Sequence, residues 1–298
     1  MPRPPPLPVP LLPDILGQAV NGLAYGALLF LLSVGLTLIF GMLDVVNLAH
    51  GSFYMLGAYA GLATLAVTGN FWIAALAAPV AVGLIGALVE RGLLRPLYRR
   101  SPLDQVLLTF GLIYVFEDLI KWGWGGRIRS IPTPELFSSR VTLGGLTLPS
   151  YRLFVIVFGL VVAVVLWLVI EKTRLGAVIR AGVYDAEMAG GLGIDIGRVF
   201  TVVFAFGAAL GGLSGVIAGP IQSAYPSMGV SILIPALIVV VVGGLGSLKG
   251  SFVGSLIIGQ AETFGKAWLP GFSMLIIYVV MALIVLLRPQ GLFGRPLR

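Results

Sequence analysis

Long apolar stretches separated by short polar connections make up most of this 298-residue chain. A helix needs about 20 mainly apolar residues to cross a membrane. Stretches of that kind fall near residues 15–40, 52–68, 71–90, 103–122, 151–170, 200–219, 231–248, 251–265 and 273–287. The pattern predicts an all-α, polytopic integral membrane protein with about 8–9 transmembrane segments. Residues 15–68 are longer than two simple spans require and contain polar residues, so we expect broken or re-entrant helices among the segments.

The charged connections predict the orientation of these segments. Residues 91–102, residues 171–200, Lys249 and the C-terminal tail hold 12 of the 19 Lys and Arg residues. Because cytoplasmic loops carry the excess of basic residues, these parts and the C-terminus are predicted to be cytoplasmic. Residues 123–150 then form an external loop. The side of the N-terminus stays open, because it depends on whether an early segment is re-entrant.

Two further features divide the chain. Residues 1–14 are a proline-rich lead, which is typical of extended chain, and residues 15–298 are predicted to form a single transmembrane domain. Within the external loop, the alternation of apolar and polar residues around Gly144-Gly145 predicts a small β-hairpin over residues 141–148.

Composition narrows the classes of function. The chain is 58% hydrophobic and only 10% charged, which excludes soluble enzymes and nucleic-acid-binding proteins despite a net charge of +7. It has no cysteine and a single histidine, His50, so thiolate and histidine-rich metal sites are excluded. None of its four lysines stands in a GxxxxGKS or GxxxxGKT motif, so ATP cannot bind through a P-loop. We therefore expect no cofactor in this chain.

Glycine is frequent and regularly spaced in one predicted helix. The residues Gly207, Gly211, Gly215 and Gly219 recur every four positions, near one face of a helix. Small residues at this spacing let helices approach closely in membranes. We expect close packing within one subunit, with a dimer interface as the alternative. Residues 50–53, HGSF, are also echoed by residues 249–252, KGSF, which is compatible with an internal repeat.

Polar residues inside the first long apolar region form one candidate site. Asp44, Asn47 and His50 are spaced i, i+3 and i+6, along one side of a helix, and Ser52 follows them. Polar residues within a membrane suggest function, because contact with lipid is costly for them. These four residues are candidates for the translocation pathway. The alternative is a hydrogen-bonded structural break at the membrane interface.

Two pairs of opposite charges lie near the ends of predicted spans. Glu117 and Lys121 are four residues apart, as are Glu262 and Lys266. Each pair is expected to interact along its own helix, which favours a structural role.

The 171–200 connection is the most informative loop. Its eight charged residues balance, and residues 183–192 have helical character until Gly190-Gly191 and Gly193 interrupt it. A short cytoplasmic helix that ends in glycines suits docking onto a cytosolic partner. An ordinary amphipathic interfacial loop is the alternative.

Four sequence motifs resemble one transporter family. RAGVYDAEMAGGLGID (residues 180–195) resembles the EAA-type coupling loop of ATP-binding-cassette (ABC) importer permeases, in particular the LivH type of branched-chain amino-acid importers. GLTLIFGMLDVVNLAHGSFYMLGAYAG (35–61), VVVVGGLGSLKGSFVGSLIIG (239–259) and RPQGLFG (288–294) are similar to the same family. The resemblance covers most of residues 15–294. The chain departs from the pattern in its proline-rich start and at Tyr184, where a polar residue is expected.

The resemblance implies a permease subunit rather than an enzyme, in the bacterial cytoplasmic (inner) membrane and surrounded by lipid. It implies transport of branched-chain or related amino acids. The implied partners are a second, LivM-like permease subunit, two cytosolic ATP-binding subunits and an extracytoplasmic substrate-binding protein. The implied ATPase-coupling residues are Arg180, Ala181, Asp185, Glu187, Ala189 and Gly193. Gly193 would end the coupling helix in a conformation that glycine adopts cheaply.

Three alternatives compete with this interpretation. A permease of the same family could carry urea or short amides. An ion-coupled secondary transporter also has broken helices and buried polar residues, but it does not need the 171–200 loop. A rhomboid-like intramembrane protease is suggested by the GxSG motif at residues 212–215, but the serine would need a histidine base. The only histidine, His50, lies upstream of the serine, whereas rhomboids place it downstream.

Overall fold

The computed structural model describes residues 12–43, 45, 47–143 and 146–294. Eleven α-helices and one two-stranded sheet form within these residues. The helices are α1 (Leu12–Leu43), α2 (His50–Thr68), α3 (Phe71–Val89), α4 (Pro102–Trp124), α5 (Ser150–Lys172), α6 (Arg174–Tyr184), α7 (Ala186–Gly191), α8 (Ile196–Gln222), α9 (Met228–Gly243), α10 (Leu248–Trp268) and α11 (Ser273–Leu287). The strands are β1 (Arg140–Leu143) and β2 (Leu146–Pro149). The all-α, polytopic class is confirmed.

Each apolar stretch of the sequence corresponds to one helix. Within the described residues, four segments are long and apolar enough to cross a membrane: Asp14–Gly41, Phe71–Leu97, Ser150–Lys172 and Ile196–Gln222. One predicted boundary was wrong, because the stretch at 231–248 is interrupted after Gly243. Gly244 and Gly246 have φ values of 99° and 75°, a conformation that ends α9 and reverses the chain into α10.

Local sequence explains several helix starts. The Asn70 side chain accepts hydrogen bonds from the backbone N–H groups of Trp72 and Ile73 and so caps α3. Gly69, with φ of 64°, makes the tight turn between α2 and α3. Ser101 caps α4, and Pro102 occupies its first position, where a missing N–H costs nothing.

Helix α1 lies at the centre of the bundle. It packs against α5, α8, α9 and α10, and Leu29, Leu31 and Leu32 in its middle are fully buried. Helix α8 packs against α1, α2 and α3. The helices α3, α4 and α5 instead present many large apolar side chains outward. This division is typical of a membrane protein whose outer helices face lipid or another subunit.

The bundle has two ends, which we name by their landmarks. The hairpin end holds the β1–β2 hairpin, the start of α1 and the ends of α8 and α10. The coupling end holds α6, α7 and the turn between α9 and α10. The start of α1 belongs to the hairpin end, because the Gln260 side chain in α10 donates to the Ala19 carbonyl at 2.9 Å. The start of α1 therefore lies at the same end of the bundle as the hairpin.

The predicted hairpin forms in antiparallel register, with Val141 opposite Leu148. Gly144 and Gly145, the predicted turn residues, lie outside the described residues. The connection between α4 and α5 also covers the end of α8, since Arg129 and Ala224 exchange backbone hydrogen bonds of 2.8 Å.

The connection between α1 and α2 is a break inside the bundle. Helix α1 ends at Leu43 near the coupling end, yet α2 begins at His50 beside the middle of α1. Val45, Asn47 and Ala49 are all buried, so the connecting chain returns through protein rather than through lipid. Non-helical backbone at this depth requires such cover, because lipid offers no hydrogen bonds. A broken helix was expected here from the sequence.

Candidate functional site

Three of the four polar candidates in the first half of the chain lie at the α1–α2 break. Asn47 Oδ1 accepts a hydrogen bond from the Ala49 N–H at 3.1 Å, and His50 Nε2 lies 3.0 Å from the Leu32 carbonyl oxygen. Asn47, His50 and Ser52 are all buried. Asn47 Nδ2 and His50 Nδ1 lack hydrogen-bond partners within the described part of the chain. Asp44 lies outside the described residues.

The glycine row of α8 lies against α1, α2 and the connection between α4 and α5. A methyl group on Gly207 would contact the carbonyl of Gly35, and one on Gly215 would overlap the carbonyl of Tyr54. Gly211 faces Phe53 and His50, and Gly219 faces Ile131. All four glycines thus bring α8 close to other elements of the same chain. Ser214, in the GxSG motif, is buried and donates to the Leu28 carbonyl at 2.9 Å, so its hydroxyl serves a helix contact.

The 171–200 connection forms two short helices at the coupling end. The Asp185 side chain accepts a hydrogen bond from the Met188 N–H at 2.8 Å and caps α7. Glu187 is exposed, whereas Ala189 is buried. Arg180 Nη1 donates to the Ile170 carbonyl at the end of α5. The structure therefore ties Arg180 to its own chain and leaves Glu187 open to solvent.

Helix α7 ends in a Schellman motif at Gly193. The N–H of Gly193 bonds to the Gly190 carbonyl at 3.0 Å, and the N–H of Ile194 bonds to the Ala189 carbonyl at 3.2 Å. Gly193 has a φ of 86°, which is unfavourable for residues with a Cβ. The motif directs the chain away from α7 into α8, whose start is capped by Asp195.

Three large apolar side chains are exposed at the end of α6, within α7 and at the residue that follows α7. Tyr184, Met188 and Leu192, which we call the apolar row, are 70%, 64% and 78% exposed. They recur every four residues, and none belongs to a helix long enough to span a membrane. Ala181 is also exposed nearby. Clusters of large exposed apolar side chains mark a surface that contacts another protein or the membrane.

A buried carboxylate joins the chain before α4 to the start of α8. Glu90 is fully buried, in a single π-helical turn that continues α3 over Glu90–Leu94. Its Oε1 accepts from the Tyr98 hydroxyl at 2.9 Å, and its Oε2 accepts from the Thr201 hydroxyl at 2.6 Å. Burial, with Glu90 nearby, raises the pKa of the Tyr98 hydroxyl well above its usual range, so it stays a donor. In the sequence, Glu90 stands at the end of the apolar stretch 71–90, and its charge is the one feature that distinguishes it there.

A cavity of about 770 Å³ lies toward the hairpin end, between α1, α5, α8, α9, α10 and α11. Much of its wall is apolar, including Ala24, Leu28, Ile232, Ile234, Pro235 and Ile277. Asn47, His50 and Ser52 are not among its wall residues. The sequence gives no sign of this cavity, because its walls come from helices that are distant along the chain.

Three charged residues line this cavity: Arg152, Glu262 and Lys266. Lys266 Nζ donates to Glu262 Oε1 and lies 5.6 Å from the centroid of the Tyr25 ring. Glu262 Oε2 is buried and makes no hydrogen bond to any described residue, and the Tyr25 phenol lies close to the same carboxylate. Arg152 Nη1 donates to Asn21 Oδ1. Among the described residues, no group of three or more His, Cys, Asp or Glu could hold a metal ion.

Comparison with known proteins identifies relatives along nearly the whole chain. The high-affinity branched-chain amino acid transport system permease protein BraD of Pseudomonas aeruginosa is 30% identical over 296 residues, with 94% of this chain and 96% of BraD covered. The permease protein LivH of Salmonella typhimurium is 28% identical, with the same coverage.

More distant similarity extends to another kind of permease. The ribose import permease protein RbsC of Escherichia coli is 25% identical over 253 residues, covering 77% of this chain and 71% of RbsC. No solved structure matches the chain significantly. A family model described as "Branched-chain amino acid transport system / permease component" matches residues 18–285. The chain therefore belongs to the family of branched-chain amino acid transport system permease components.

Proposed function

We propose that this chain is one transmembrane permease subunit of an ATP-driven importer for branched-chain or related amino acids. The apolar row Tyr184, Met188 and Leu192 carries this proposal, because it offers a cytosolic protein a place to dock at one end of the bundle. The cavity lies toward the other end. A motor subunit at the coupling end can thus act on a substrate pathway without touching the substrate.

The proposed partners are two cytosolic ATP-binding subunits, an extracytoplasmic substrate-binding protein and a second, LivM-like permease subunit. In this arrangement the coupling end and the C-terminus face the cytoplasm and the hairpin end faces outward, across the bacterial inner membrane. The basic residues at 91–102 and 171–200 support this orientation. The proposed ATPase-coupling residues are Arg180, Ala181, Asp185, Glu187, Ala189 and Gly193.

Within this proposal, the residues of the coupling helix have different tasks. Glu187 is exposed and contacts the ATP-binding subunit directly. Asp185 and Gly193 hold the two ends of α7, through its cap and its Schellman motif. Arg180 fixes α6 to the end of α5, so that a push on α7 reaches a transmembrane helix.

The α1–α2 break has a proposed role as well. Asn47, His50 and Ser52 lie where α1, α2 and α8 meet. Asp44 stays a candidate from the sequence alone. We assign Asn47, His50 and Ser52 to the inner part of the translocation pathway, which becomes accessible only when the bundle rearranges. Buried side chains with unused hydrogen-bonding atoms are suited to contact a polar substrate in such a state.

The substrate class follows from the relatives and is tested directly. The importer is assembled from this chain, its candidate partner permease, ATP-binding subunits and binding protein, and reconstituted in vesicles. We expect ATP-dependent uptake of L-leucine, and none of ribose or urea. A catalytic lysine variant of the ATP-binding subunit provides the control and should abolish uptake. Uptake that persists without ATP hydrolysis would favour an ion-coupled carrier instead.

A further inference from the structure

The cavity at the hairpin end combines opposite charges with an apolar wall. Glu262 lies on α10 and Arg152 on α5, two helices that flank α1. The Ala24, Leu28, Ile232 and Ile277 side chains supply the apolar lining. A ligand that satisfies such a site carries a positive group, a negative group and an aliphatic portion.

The Glu262 carboxylate lacks part of its expected hydrogen bonding. The residue is 8% exposed, its Oε1 is bound by Lys266, and its Oε2 has no hydrogen-bond partner among the described residues. A buried carboxylate oxygen without a donor is unfavourable. An ammonium group carries three N–H donors and a positive charge, so it would supply both the missing hydrogen bond and further neutralisation.

The Arg152 guanidinium offers the complementary group. It has five N–H donors in a planar fork that fits a carboxylate. Its hydrogen bond to Asn21 Oδ1 uses Nη1 and orients the side chain toward the cavity wall to which both residues belong. A ligand carboxylate is therefore the natural partner for the remaining donors.

The size and polarity of the cavity also suit a small ligand that carries both charges and an apolar side chain. Its volume of about 770 Å³ falls within the range of small-molecule sites. An uncharged sugar or urea would leave Glu262 Oε2 without a cationic donor, whereas a free amino acid supplies both charges in one molecule. Its side chain would then face the aliphatic wall, which favours branched and linear apolar side chains.

We propose that this cavity is a binding site for a free amino acid in its zwitterionic form, with the ammonium group at Glu262 and the carboxylate at Arg152. The inference rests on the proposed function, in which the cavity receives substrate released by the binding protein. It assigns Glu262 to ligand binding, in addition to the pairing with Lys266 that the sequence already indicated. The permease would then select its ligand a second time, after the binding protein, by requiring both an ammonium and a carboxylate group.

Binding is tested on the assembled importer without the binding protein, which would itself hold the ligand. Thermal stabilisation is measured against millimolar L-leucine, N-acetyl-L-leucine, which lacks the ammonium, and L-leucinamide, which lacks the carboxylate. We expect only L-leucine to stabilise the wild-type complex. Glu262→Gln should weaken the effect of L-leucine about tenfold or more, because a charge-assisted hydrogen bond is lost.

Matched variants separate ligand binding from general damage. Glu117→Gln removes the carboxylate of the similar Glu117–Lys121 pair on α4, which does not line the cavity, and should behave as wild type. Arg152→Gln should reduce the preference for L-leucine over L-leucinamide, whereas Glu262→Gln should reduce its preference over N-acetyl-L-leucine. A protein that is merely unstable would not lose one preference in one variant and the other preference in the other variant.

Specific outcomes would overturn the assignment. Equal stabilisation by L-leucine and N-acetyl-L-leucine contradicts it, as does a Glu262→Gln complex that binds L-leucine like wild type. ATP-dependent uptake is measured on the same preparations. If wild type transports L-leucine but either contradicting result is found, the cavity assignment fails and the proposed function stands. If wild type transports no amino acid with ATP, both fail.

Discussion

His50 donates a hydrogen bond from Nε2 to the carbonyl oxygen of Leu32 at 3.0 Å, so the first residue of α2 is bonded to the middle of α1. Because a carbonyl only accepts, this nitrogen carries the proton. The bond holds the non-helical return between the two helices in register, in a region where water cannot replace it.

His50→Ala is expected to destabilise the protein by about 1–3 kcal/mol, since the hydrogen bond and buried packing are both lost. Thermal unfolding in detergent measures the change. Thr64→Ala is the control, because the Thr64 hydroxyl bonds only to the Ala60 carbonyl of its own helix. An unchanged melting temperature for His50→Ala would contradict the role of this contact.

Gly215→Ala should disrupt the contact between α8 and α2. The added methyl group would overlap the Tyr54 carbonyl, and backbone cannot move aside as a flexible side chain does. Overpacking of this kind costs about 1–3 kcal/mol. Yield of folded protein by size-exclusion chromatography is the measurement. Gly111→Ala in α4, where the methyl group meets nothing within 4 Å, should be neutral; equal yields for both variants would exclude the expected clash.

Gly193→Ala should weaken coupling between ATP hydrolysis and uptake. With φ of 86° at this position, a Cβ costs about 1–2 kcal/mol, which loosens the end of α7. The readout is the amount of amino acid transported per ATP hydrolysed. Gly191→Ala is the matched control, because its methyl group meets nothing within 4 Å and its φ is ordinary. Gly193→Pro and Glu187→Arg are expected to uncouple the two activities more strongly; normal stimulated uptake in either would refute the coupling role.

Met188→Asp should reduce association with the ATP-binding subunits about tenfold or more, because a charge would be buried in an apolar contact. Co-purification of the subunits from membranes provides the assay. Leu136→Asp alters a comparably exposed apolar residue at the hairpin end and should leave the complex intact. Retention of the ATP-binding subunits by Met188→Asp would rule out the apolar row as their docking surface.

Tyr98→Phe should destabilise the protein by about 1.5–3 kcal/mol, because buried Glu90 would lose one of its two donors. The remaining bond from Thr201 at 2.6 Å would not satisfy both oxygens. Chemical or thermal unfolding measures the loss. Tyr114→Phe, at an exposed position on α4, serves as control, and equal stability of the two variants would argue against this link between the ends of α3 and α8.

The sequence predicted the helices well and their spatial neighbours poorly, for physical reasons. Hydropathy reports burial in lipid or protein, so each apolar stretch could be found, and the glycines of α8 indicated close packing without naming Tyr54 as the partner. The stretch at 231–248 concealed a turn because Gly244 and Gly246 carry no charge and so do not interrupt an uncharged run. Motif resemblance, rather than hydropathy, is the basis for the prediction of a coupling loop at residues 171–200. The cavity could not be predicted, since Glu262 and Arg152 approach the same space only through the packing of α5 and α10 on α1.

The late helices also close the α1–α2 break, and this has a consequence for biosynthesis. Gly51, at the start of α2, packs on the backbone of Gly229 in α9, and His50 faces Gly211 in α8. A nascent chain that has not yet delivered these helices would present the polar backbone near Asn47 to lipid. The first two helices therefore cannot complete their insertion as an independent unit. A truncation after Lys172 should be held by the insertion machinery or degraded, rather than accumulate as a stable half-bundle.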